Sequence, residues 1–392
     1  MKRKKFGLLP KIVVAIVSGV VCGLFFPDWL ERIFITVNGL FGNFLGFIIP
    51  LLILGLVAPG IADLGKGAGR LLLITAALAY GFTLFSGFFT FFTCKLTYPL
   101  LLSSSDALTD MGEQAAGLAP YFTVDMPPVM GVMSALILAF TLGLGMSVID
   151  GGRLKAVMDD FKDIIDRVIT AVIIPVLPLY IFGIFLHMTK SGQVAGVMGV
   201  FLKIIVVIFV MTVILLLVQF SIAGAVGRKN PLRLLRAMLP AYITALGTQS
   251  SAATIPVTLE QTVKNGVRAD LAGFVVPLCA TIHLSGSTMK IVACSMAIIL
   301  MSGGELQLGQ YAGFIMMLGI AMVAAPGVPG GAIMAALGLL QSMLGFDETA
   351  QGLMIALYIA MDSFGTATNV TGDGAIAVIV DRVNGRCQTQ RS

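Results

Sequence analysis

A short polar segment near the end of an otherwise apolar chain carries the residues best suited to chemistry. From Met361 to Asp373 it is MDSFGTATNVTGD, with carboxylates, a hydroxyl and an amide at Asp362, Thr366, Asn369 and Asp373. At about 100° per residue, this spacing places all four side chains on one face of a helix. Ionisable groups in a membrane helix are costly and normally face an internal site or an ion path. The stripe therefore predicts a site that binds a cation and an amine together.

The composition of the chain is typical of a membrane protein. Hydrophobic residues make up 57% and charged residues 11% of its 392 positions, and the mean hydropathy is +0.98. A soluble domain carries about 25% charged residues, and a bilayer span needs about 20 apolar residues. The net charge of +5 comes from basic residues scattered over the connections, which argues against a nucleic-acid partner.

Six apolar runs precede the polar segment. They cover residues 7–26, 37–61, 71–95, 129–149, 168–188 and 196–226. The connection 96–128 contains neither Lys nor Arg, whereas Arg228 and Lys229 follow the sixth run. By the positive-inside rule, the first connection is predicted to lie outside and the second in the cytoplasm. The basic start, Met1–Lys5, places the N-terminus in the cytoplasm, and the mixed-charge segment 150–167 is predicted to be a cytoplasmic linker.

Two uncharged stretches are interrupted by residues that break a helix. In 237–259 the interruption is TQSSAAT, Thr248–Thr254, and in 306–346 it is AAPGVPGG, Ala324–Gly331. Their flanking charges predict that each stretch enters and leaves on one side, the first on the cytoplasmic side and the second outside. An arm of about 11 residues reaches about 16 Å, to the midplane of the bilayer. Paired interrupted segments are typical of transporters built from inverted repeats.

A third interruption lies between these two stretches. The segment Pro277–Thr288 reads PLCATIHLSGST, and its residues from His283 onward weaken a helix in mid-span. An unwound turn there would offer main-chain carbonyls to a small cation, because broken backbone at membrane depth is tolerated only where it is buried or lines a cavity. Lys290 follows at nearly the same depth.

Taken together, these segments resemble the glutamate transporter family, the dicarboxylate/amino-acid:cation symporters. Thr248–Thr258, TQSSAATIPVT, resembles the serine-rich tip of that family's first hairpin. Gly327–Gly330, GVPG, resembles the second hairpin tip, and Asn369–Asp373, NVTGD, matches the last-helix motif letter for letter. Order and spacing agree over about 236–383, and the six preceding spans fit in number.

The resemblance implies an all-α polytopic membrane protein with eight transmembrane helices and two re-entrant hairpins. These would form inverted repeats that work as an elevator in a homotrimer, in the plasma (inner) membrane, with both termini in the cytoplasm. Scaffold helices 1 and 2 would lie in 1–70, and an extracellular loop with scaffold helices 4 and 5 in 96–195. Transport helix 3 would lie in 71–95, the core of the transport domain in 196–383, and a cytoplasmic tail in 384–392.

The resemblance also implies a substrate site, residue by residue. Its members would be Gln249, Ser250, Ser251, Ser287, Val328, Gly330, Asp362, Gly365, Thr366 and Asn369. Ser250, Ser251 and Asn369 would meet the substrate α-carboxylate, which the free N–H groups of a helix N-terminus also favour. Asp362 would hold the α-ammonium. Val328 and Gly330 would close the outer gate.

A cation site is implied beside the substrate site. Asp373 would bind sodium together with the main-chain carbonyls of Cys279, His283 and Asn369. No enzyme cofactor is expected, since the sequence shows no nucleophile–base set, metal-ligand cluster or nucleotide loop. The chain is therefore predicted not to be an enzyme.

Several positions depart from the pattern of members that carry acidic substrates. Gly365 stands where those members have an arginine, which binds the side-chain carboxylate bidentately, and neither Gln249 nor Tyr358 supplies one. An aspartate that closes another sodium site is replaced by Ser285, and a lysine, Lys290, stands beside the cation sites. These departures favour a neutral amino acid as the substrate and leave the coupling ion open between sodium and protons.

Two basic residues are candidates for coupling. Lys290 could stand in for an ion or cycle a proton, or it could form a static pair with a carboxylate. His283 could carry a proton, or it could be an interior histidine that donates to a carbonyl. Both interpretations stay open for each residue.

The sequence thus predicts a secondary active transporter that moves a neutral amino acid together with a cation, sodium being favoured through Asp373. The alternative is a proton-coupled carrier of another small carboxylate, with Lys290 or His283 recognising its charge. A channel or a substrate sensor on the same fold is a further alternative. The predicted partners are a small-molecule substrate, the lipid bilayer and two further copies of the chain.

Overall fold

The computed structural model describes residues 8–65, 70–101, 118–149, 152–323, 325 and 329–389, and these residues form helices joined by short connections. The first seven helices are α1 (Leu8–Gly23), α2 (Asp28–Gly65), α3 (Arg70–Leu101), α4 (Val132–Val148), α5 (Arg153–Val168), α6 (Ile174–Lys190) and α7 (Val194–Gly227). The next five are α8 (Pro231–Ala237), α9 (Leu239–Thr248), α10 (Ser251–Lys264), α11 (Ala269–Ile282) and α12 (Ser285–Met301). The last four are α13 (Leu308–Val323), α14 (Gly331–Leu344), α15 (Glu348–Ala360) and α16 (Asp362–Thr389).

Several of these helices are long and apolar enough to cross a membrane. Within the described ranges five helical segments qualify: Asp28–Ala62, Leu71–Leu101, Arg153–Lys190 (α5 with α6), Val194–Gly227 and Ala269–Met301 (α11 with α12). A sixth candidate is the pair α15 and α16, which bends by 60° between its halves. The helices α1, α4, α13 and α14 are shorter and apolar. This all-helical, apolar architecture agrees with the predicted polytopic membrane protein.

The segment 150–167, predicted to be a cytoplasmic linker, is helical in its described part. Arg153–Val168 is helix α5, which continues through a π-helical turn, Ile169–Ile173, into α6. Its apolar residues recur at helical spacing and bury Met158 and Ile165, and the helix packs on α2. The charged residues occupy the opposite face, as in an amphipathic helix, so counting charges concealed the helix.

The break predicted inside the first interrupted stretch is present, and it is short. Helix α9 ends at Thr248, Gln249 adopts a left-handed backbone with φ of 53°, and α10 begins at Ser251. A positive φ is uncommon for residues other than glycine, and here it reverses the chain between two helices that pack on each other. The second stretch is likewise two packed helices, α13 and α14, but Ala324 and 326–328 at its tip lie outside the described residues.

The third predicted interruption is present and shorter than expected. Only His283 and Leu284 leave the helical conformation between α11 and α12, so Ser285–Thr288 form the first turn of α12 rather than an unwound turn. Helix α16 contains all four residues of the predicted polar stripe. The chain bends by 60° at Met361, so that Asp362 is the first residue of α16.

Helix packing brings the interrupted segments together. Helices α1, α2, α4, α5 and α6 contact one another, with α2 packed on α4 and α1 on α6. Helix α16 packs on α7, α9, α10, α11 and α12, and α12 also packs on α3 and α15. The polar stripe of α16 is therefore enclosed by the elements that carry the breaks.

Candidate functional site

The breaks in the chain meet around one cleft with an empty volume of about 390 Å³, including its open mouth. Six of the predicted substrate residues line it: Gln249, Ser251, Ser287, Asp362, Thr366 and Asn369. Ser250, Gly330 and Gly365 are not part of the lining, and Val328 lies outside the described residues. The cleft thus collects most of the predicted site from α10, α12 and α16.

Asp362 is the acidic side chain in the described lining of the cleft. The residue is only 5% exposed. Its Oδ1 accepts a hydrogen bond from Nζ of Lys290 at 3.2 Å, and its Oδ2 accepts one from the main-chain N–H of Gly330 at 2.9 Å. Because Asp362 is the first residue of α16, the dipole at the helix N-terminus also stabilises its negative charge. The carboxylate is held by partners from the two helices that face it, α12 and the start of α14.

Lys290 is fully buried behind Asp362, with 0% exposure. Its Nζ also donates to the carbonyl of Met361 at 3.4 Å and lies 3.8 Å from the centre of the Tyr358 ring. A side chain on Gly365 would collide with Cε and Nζ of Lys290. Glycine at this position therefore leaves space for the Lys290 side chain. Burial of a charged group is tolerated where it is paired and hydrogen-bonded, as it is here.

An interlocked polar cluster joins α12, α15 and α16 at the floor of the cleft. The amide of Asn369 accepts the N–H of Gly286 at 2.8 Å and donates to Oγ of Ser287 at 3.1 Å. The hydroxyl of Tyr358 also donates to that Oγ, at 3.0 Å. Because Ser287 accepts twice, its own O–H stays available as a donor to the cleft.

The turn between α9 and α10 forms one rim. Ser250 caps α10, its Oγ accepting the N–H of Ala253 at 3.3 Å, which is a standard role for serine at this position. Gln249 reaches across the cleft, and its Nε2 donates to Oγ of Ser363 at 2.9 Å. Ser251, the first residue of α10, lines the cleft itself. Of the two serines predicted to meet a carboxylate, Ser251 is the one placed to do so.

Three helix N-termini open on the cleft. Ser251 begins α10, Gly331 begins α14, and Ser287 lies in the first turn of α12, and all three line the cleft. The free N–H groups and the dipole at a helix N-terminus favour an anion. The cleft thus offers anion-binding groups close to the carboxylate of Asp362, an arrangement complementary to a zwitterion.

Three of the four predicted cation residues, Cys279, His283 and Asp373, lie outside the cleft lining, whereas Asn369 is part of it. Asp373 is 1% exposed, and its Oδ1 is 2.9 Å from Nδ1 of His283. When Asp373 is ionised, Nδ1–H of His283 is the donor, because a carboxylate only accepts. The carbonyl of Cys279 accepts the N–H of His283 at 2.8 Å. The structure brings Cys279, His283 and Asp373 together, and the imidazole is a side-chain partner of the carboxylate that the sequence did not predict.

A second buried network borders this pair. Nε2 of Gln219 donates to Oγ of Ser285 at 3.2 Å, and Oγ of Ser86 donates to the Ser285 carbonyl at 2.7 Å. A side chain on Gly372 would collide with His283 and Gln219, so glycine lets the ring approach α16. Within the described part of the chain, Gln219 Oε1 and His283 Nε2 have no hydrogen-bond partner. Unpartnered buried oxygen and nitrogen atoms are typical of sites that hold an ion or water.

Sequence reasoning missed part of the lining and several of its supports. Ala280, Thr281, Leu284, Ala325, Gly331, Ala332 and Tyr358 also line the cleft. In the sequence, Tyr358 is notable only as a position without an arginine. In the structure its ring contacts Lys290, and its hydroxyl donates a hydrogen bond to Ser287. A buried lysine needs an anion or an aromatic ring nearby. That requirement of Lys290 could have indicated an aromatic neighbour such as Tyr358. Gln219 and Ser86 had no signal, because their partners are remote in sequence.

Comparison with known proteins agrees with this architecture. The sequence model of the sodium:dicarboxylate symporter family matches residues 8–383. The serine/threonine transporter SstT of Acinetobacter baumannii (strain AYE) is 26% identical over 395 residues, covering 96% of this chain and 97% of the relative.

Animal relatives match a shorter part of the chain. The excitatory amino acid transporter 1 of Rattus norvegicus is 30% identical over 276 residues, covering 66% of this chain and 50% of the relative. An excitatory amino acid transporter of Caenorhabditis elegans is 27% identical over 290 residues, covering 72% of this chain and 57% of the relative. The chain thus spans about half the length of these animal relatives.

Proposed function

The chain belongs to the sodium:dicarboxylate symporter family, and on that premise we propose that it carries a neutral amino acid across the membrane together with a cation, sodium in the first instance. Its relatives are transporters, not enzymes. Two of them are named for excitatory amino acids and one for serine and threonine. Their names support amino-acid transport as the starting point for this chain.

One observation carries the proposal: the carboxylate of Asp362 lies in a cleft onto which three helix N-termini open. In this arrangement Asp362 binds the α-ammonium, and the N–H groups at the start of α10 and α14 bind the α-carboxylate. Ser287 and Asn369 add neutral polar contacts from the floor of the cleft. A zwitterion brings both charges at once and so matches both parts of the site.

The lining supports a neutral side chain on the substrate. None of the described residues that line the cleft is basic, and Lys290 lies behind Asp362 with its ammonium already paired. An acidic side chain would therefore lose its water without gaining a charged partner. Leaving such a group unpaired costs about 1–3 kcal/mol or more, so serine, alanine or threonine should bind more tightly than aspartate.

The coupling ion is assigned to the region of Asp373. One buried carboxylate with main-chain carbonyls is a donor set suited to a hard cation such as sodium. Cys279 and His283, two of the residues proposed to supply carbonyls, lie at the end of α11 beside that carboxylate. The contact of His283 with Asp373 means that a cation must share the carboxylate with the imidazole or displace it.

Helix packing supports an elevator, with α1, α2, α4, α5 and α6 as the scaffold. In this proposal the scaffold lies in 1–70 and 96–195, and helix 3 in 71–95 moves with the transport core in 196–383. The scaffold helices contact one another, whereas α16 gathers α7, α9, α10, α11 and α12 around the site. A homotrimer with cytoplasmic termini, including the tail 384–392, completes the proposal and rests on family resemblance.

A second candidate function is favoured by one observation. Asp362 already holds the ammonium of Lys290, so a small carboxylate without an amino group could bind at the helix N-termini and leave this ion pair intact. Such a carrier would be coupled to protons rather than to sodium. The same uptake experiment separates the two functions.

The test is uptake into liposomes that contain the purified protein. Labelled serine, alanine, threonine, aspartate, glutamate and ammonium-free carboxylates are offered under an inward sodium gradient at equal pH, and then under a pH gradient without sodium. The proposal expects saturable sodium-driven uptake, with neutral amino acids preferred over aspartate by about tenfold. Uptake of only ammonium-free carboxylates, driven by the pH gradient, would establish the second candidate instead.

A further inference from the structure

Lys290 is a buried basic residue that has no role in the transport cycle proposed above. It belongs to the first half of α12, is 0% exposed, and contacts Asp362, Met361 and Tyr358. All three partners lie at the bend between α15 and α16, where the substrate ammonium is expected. The lysine is therefore placed at the substrate site without lining the cleft.

Both oxygens of Asp362 have partners inside the protein. Oδ1 accepts from Lys290, and Oδ2 accepts from the N–H of Gly330. A substrate ammonium that binds Asp362 must therefore share the carboxylate with the ammonium of Lys290 or displace it. A group tethered next to its partner competes at a high effective concentration.

We propose that Lys290 is an internal counter-cation, which compensates the charge of Asp362 in the empty carrier and yields the carboxylate to the ammonium of the substrate. The proposal rests on the proposed amino-acid transport. It makes Lys290 a positioning residue that acts through Asp362, not a ligand of the substrate.

The surroundings of Lys290 allow this exchange without moving the lysine far. The Tyr358 ring, 3.8 Å from Nζ, and the carbonyl of Met361, 3.4 Å away, remain as partners when Asp362 turns to the substrate. A cation over an aromatic face is stabilised even without a carboxylate. Gly365 leaves the space beside Nζ free of a side chain.

The neutral charge of the Asp362–Lys290 pair would allow the empty carrier to return across the membrane. With Lys290 the Asp362 pair is neutral, whereas without it a lone carboxylate would have to cross the apolar region. Moving an uncompensated charge through a membrane is costly. The empty carrier should then return only with an amine or a cation bound, so that exchange of substrate persists while net uptake fails.

The test separates exchange from net uptake in Lys290→Met, a variant that keeps the length of the side chain and removes its charge. Liposomes loaded with unlabelled serine or alanine report exchange of the labelled amino acid, and liposomes without substrate report net uptake. We expect exchange within a few-fold of wild type and a fall in net uptake of about tenfold or more. The affinity for the amino acid should rise, on the order of tenfold, because the internal competitor is gone.

A matched control is Lys95→Met, which removes a lysine from an exposed position in α3 over the ring of Phe91. It should leave exchange, net uptake and affinity at wild-type values. The double variant Lys290→Met/Asp362→Asn removes both members of the pair. It should fold but fail to bind the amino acid.

Other outcomes overturn the inference. A parallel fall of exchange and net uptake in Lys290→Met, or wild-type values in both, contradicts the role of counter-cation. If Lys290→Met and Lys290→Gln both fail to fold while the double variant folds, the pair serves folding and the proposal is wrong. Wild-type liposomes that neither exchange nor accumulate any amino acid overturn the proposed function itself, together with the inference that rests on it.

Discussion

Two buried carboxylates lie along the same face of α16, each beside a basic side chain, and their surroundings differ. Asp362 meets Lys290 at the start of the helix and borders an open cleft. Asp373 meets His283 eleven residues later and does not border that cleft. Access therefore distinguishes them: the first pair is reachable by an organic substrate, and the second suits a small ion.

The distance between the pairs limits how they communicate. Eleven residues of helix span about 16 Å, and two unit charges at that distance interact by only about 1 kcal/mol at an effective dielectric constant of about 20. Stronger coupling has to pass through packing. Asn369 lies between the two aspartates and ties α16 to Gly286 and Ser287 at the start of α12, so this contact is the candidate path.

The largest effect on amino-acid binding is expected at Asp362, which pairs with Lys290 beside the open cleft. Asp362→Asn keeps the size of the side chain and removes the charge proposed to bind the substrate ammonium. Breaking a buried charge pair costs about 3–5 kcal/mol, so amino-acid affinity should fall by about 100-fold or more. Equilibrium binding of labelled serine or alanine to the purified variant measures this loss.

The control for this variant is Asp270→Asn, the same change at an exposed position in the first turn of α11. It should bind as wild type does. Wild-type affinity in Asp362→Asn, with a monodisperse protein of normal thermal stability, would remove Asp362 from the site.

The enclosed pair should show a smaller and different effect. Asp373→Asn leaves the cleft intact, so binding of the amino acid should survive while its dependence on sodium weakens. Couplings between sites are typically about 1–3 kcal/mol, and the variant should lose most of that. Titrations with and without sodium at fixed ionic strength measure it, again beside Asp270→Asn. An undiminished sodium effect in Asp373→Asn would place the cation elsewhere.

The smallest expected effect is on thermal stability, and it tests how closely Lys290 approaches α16. Gly365→Ala adds a methyl group that collides with Lys290, and overpacking of this kind costs about 1–3 kcal/mol. Thermal unfolding in detergent should shift down, and the Asp362–Lys290 pair should be disturbed. Gly273→Ala is the matched control, since no atom lies within 4 Å of a methyl group there and alanine favours a helix. Equal melting temperatures for the two variants would contradict the described packing.

The sequence predicted the helical class, the polar stripe and the breaks in the chain, because these depend on local pattern, whereas the remaining candidate site residues were implied by the family resemblance. The stripe from Asp362 to Asp373 lies on one helix, and the polar run at Thr248–Thr254 breaks the chain at Gln249. These features arise from helical periodicity and from residues that interrupt a helix. They need no knowledge of distant contacts.

The sequence left the pairing of Lys290 with a carboxylate open and did not predict the contact of His283 with Asp373. Lys290 and Asp362 are 72 positions apart, and His283 and Asp373 are 90 apart, so both contacts depend on how the α11–α12 segment packs on α16. Tyr358 and Gly365 complete the lysine site for the same reason. The missed helix α5 has a different cause, since its charges masked a buried stripe that ends in Ile165.

The most direct test of the central claim, that the cleft binds an amino acid and the region of Asp373 binds the coupling cation, is calorimetric titration of the wild-type protein with serine or alanine at several sodium concentrations and fixed ionic strength. The account predicts that sodium tightens amino-acid binding and that the amino acid tightens sodium binding by the same factor, as thermodynamic linkage requires. An amino-acid affinity that stays constant across all sodium concentrations would contradict it.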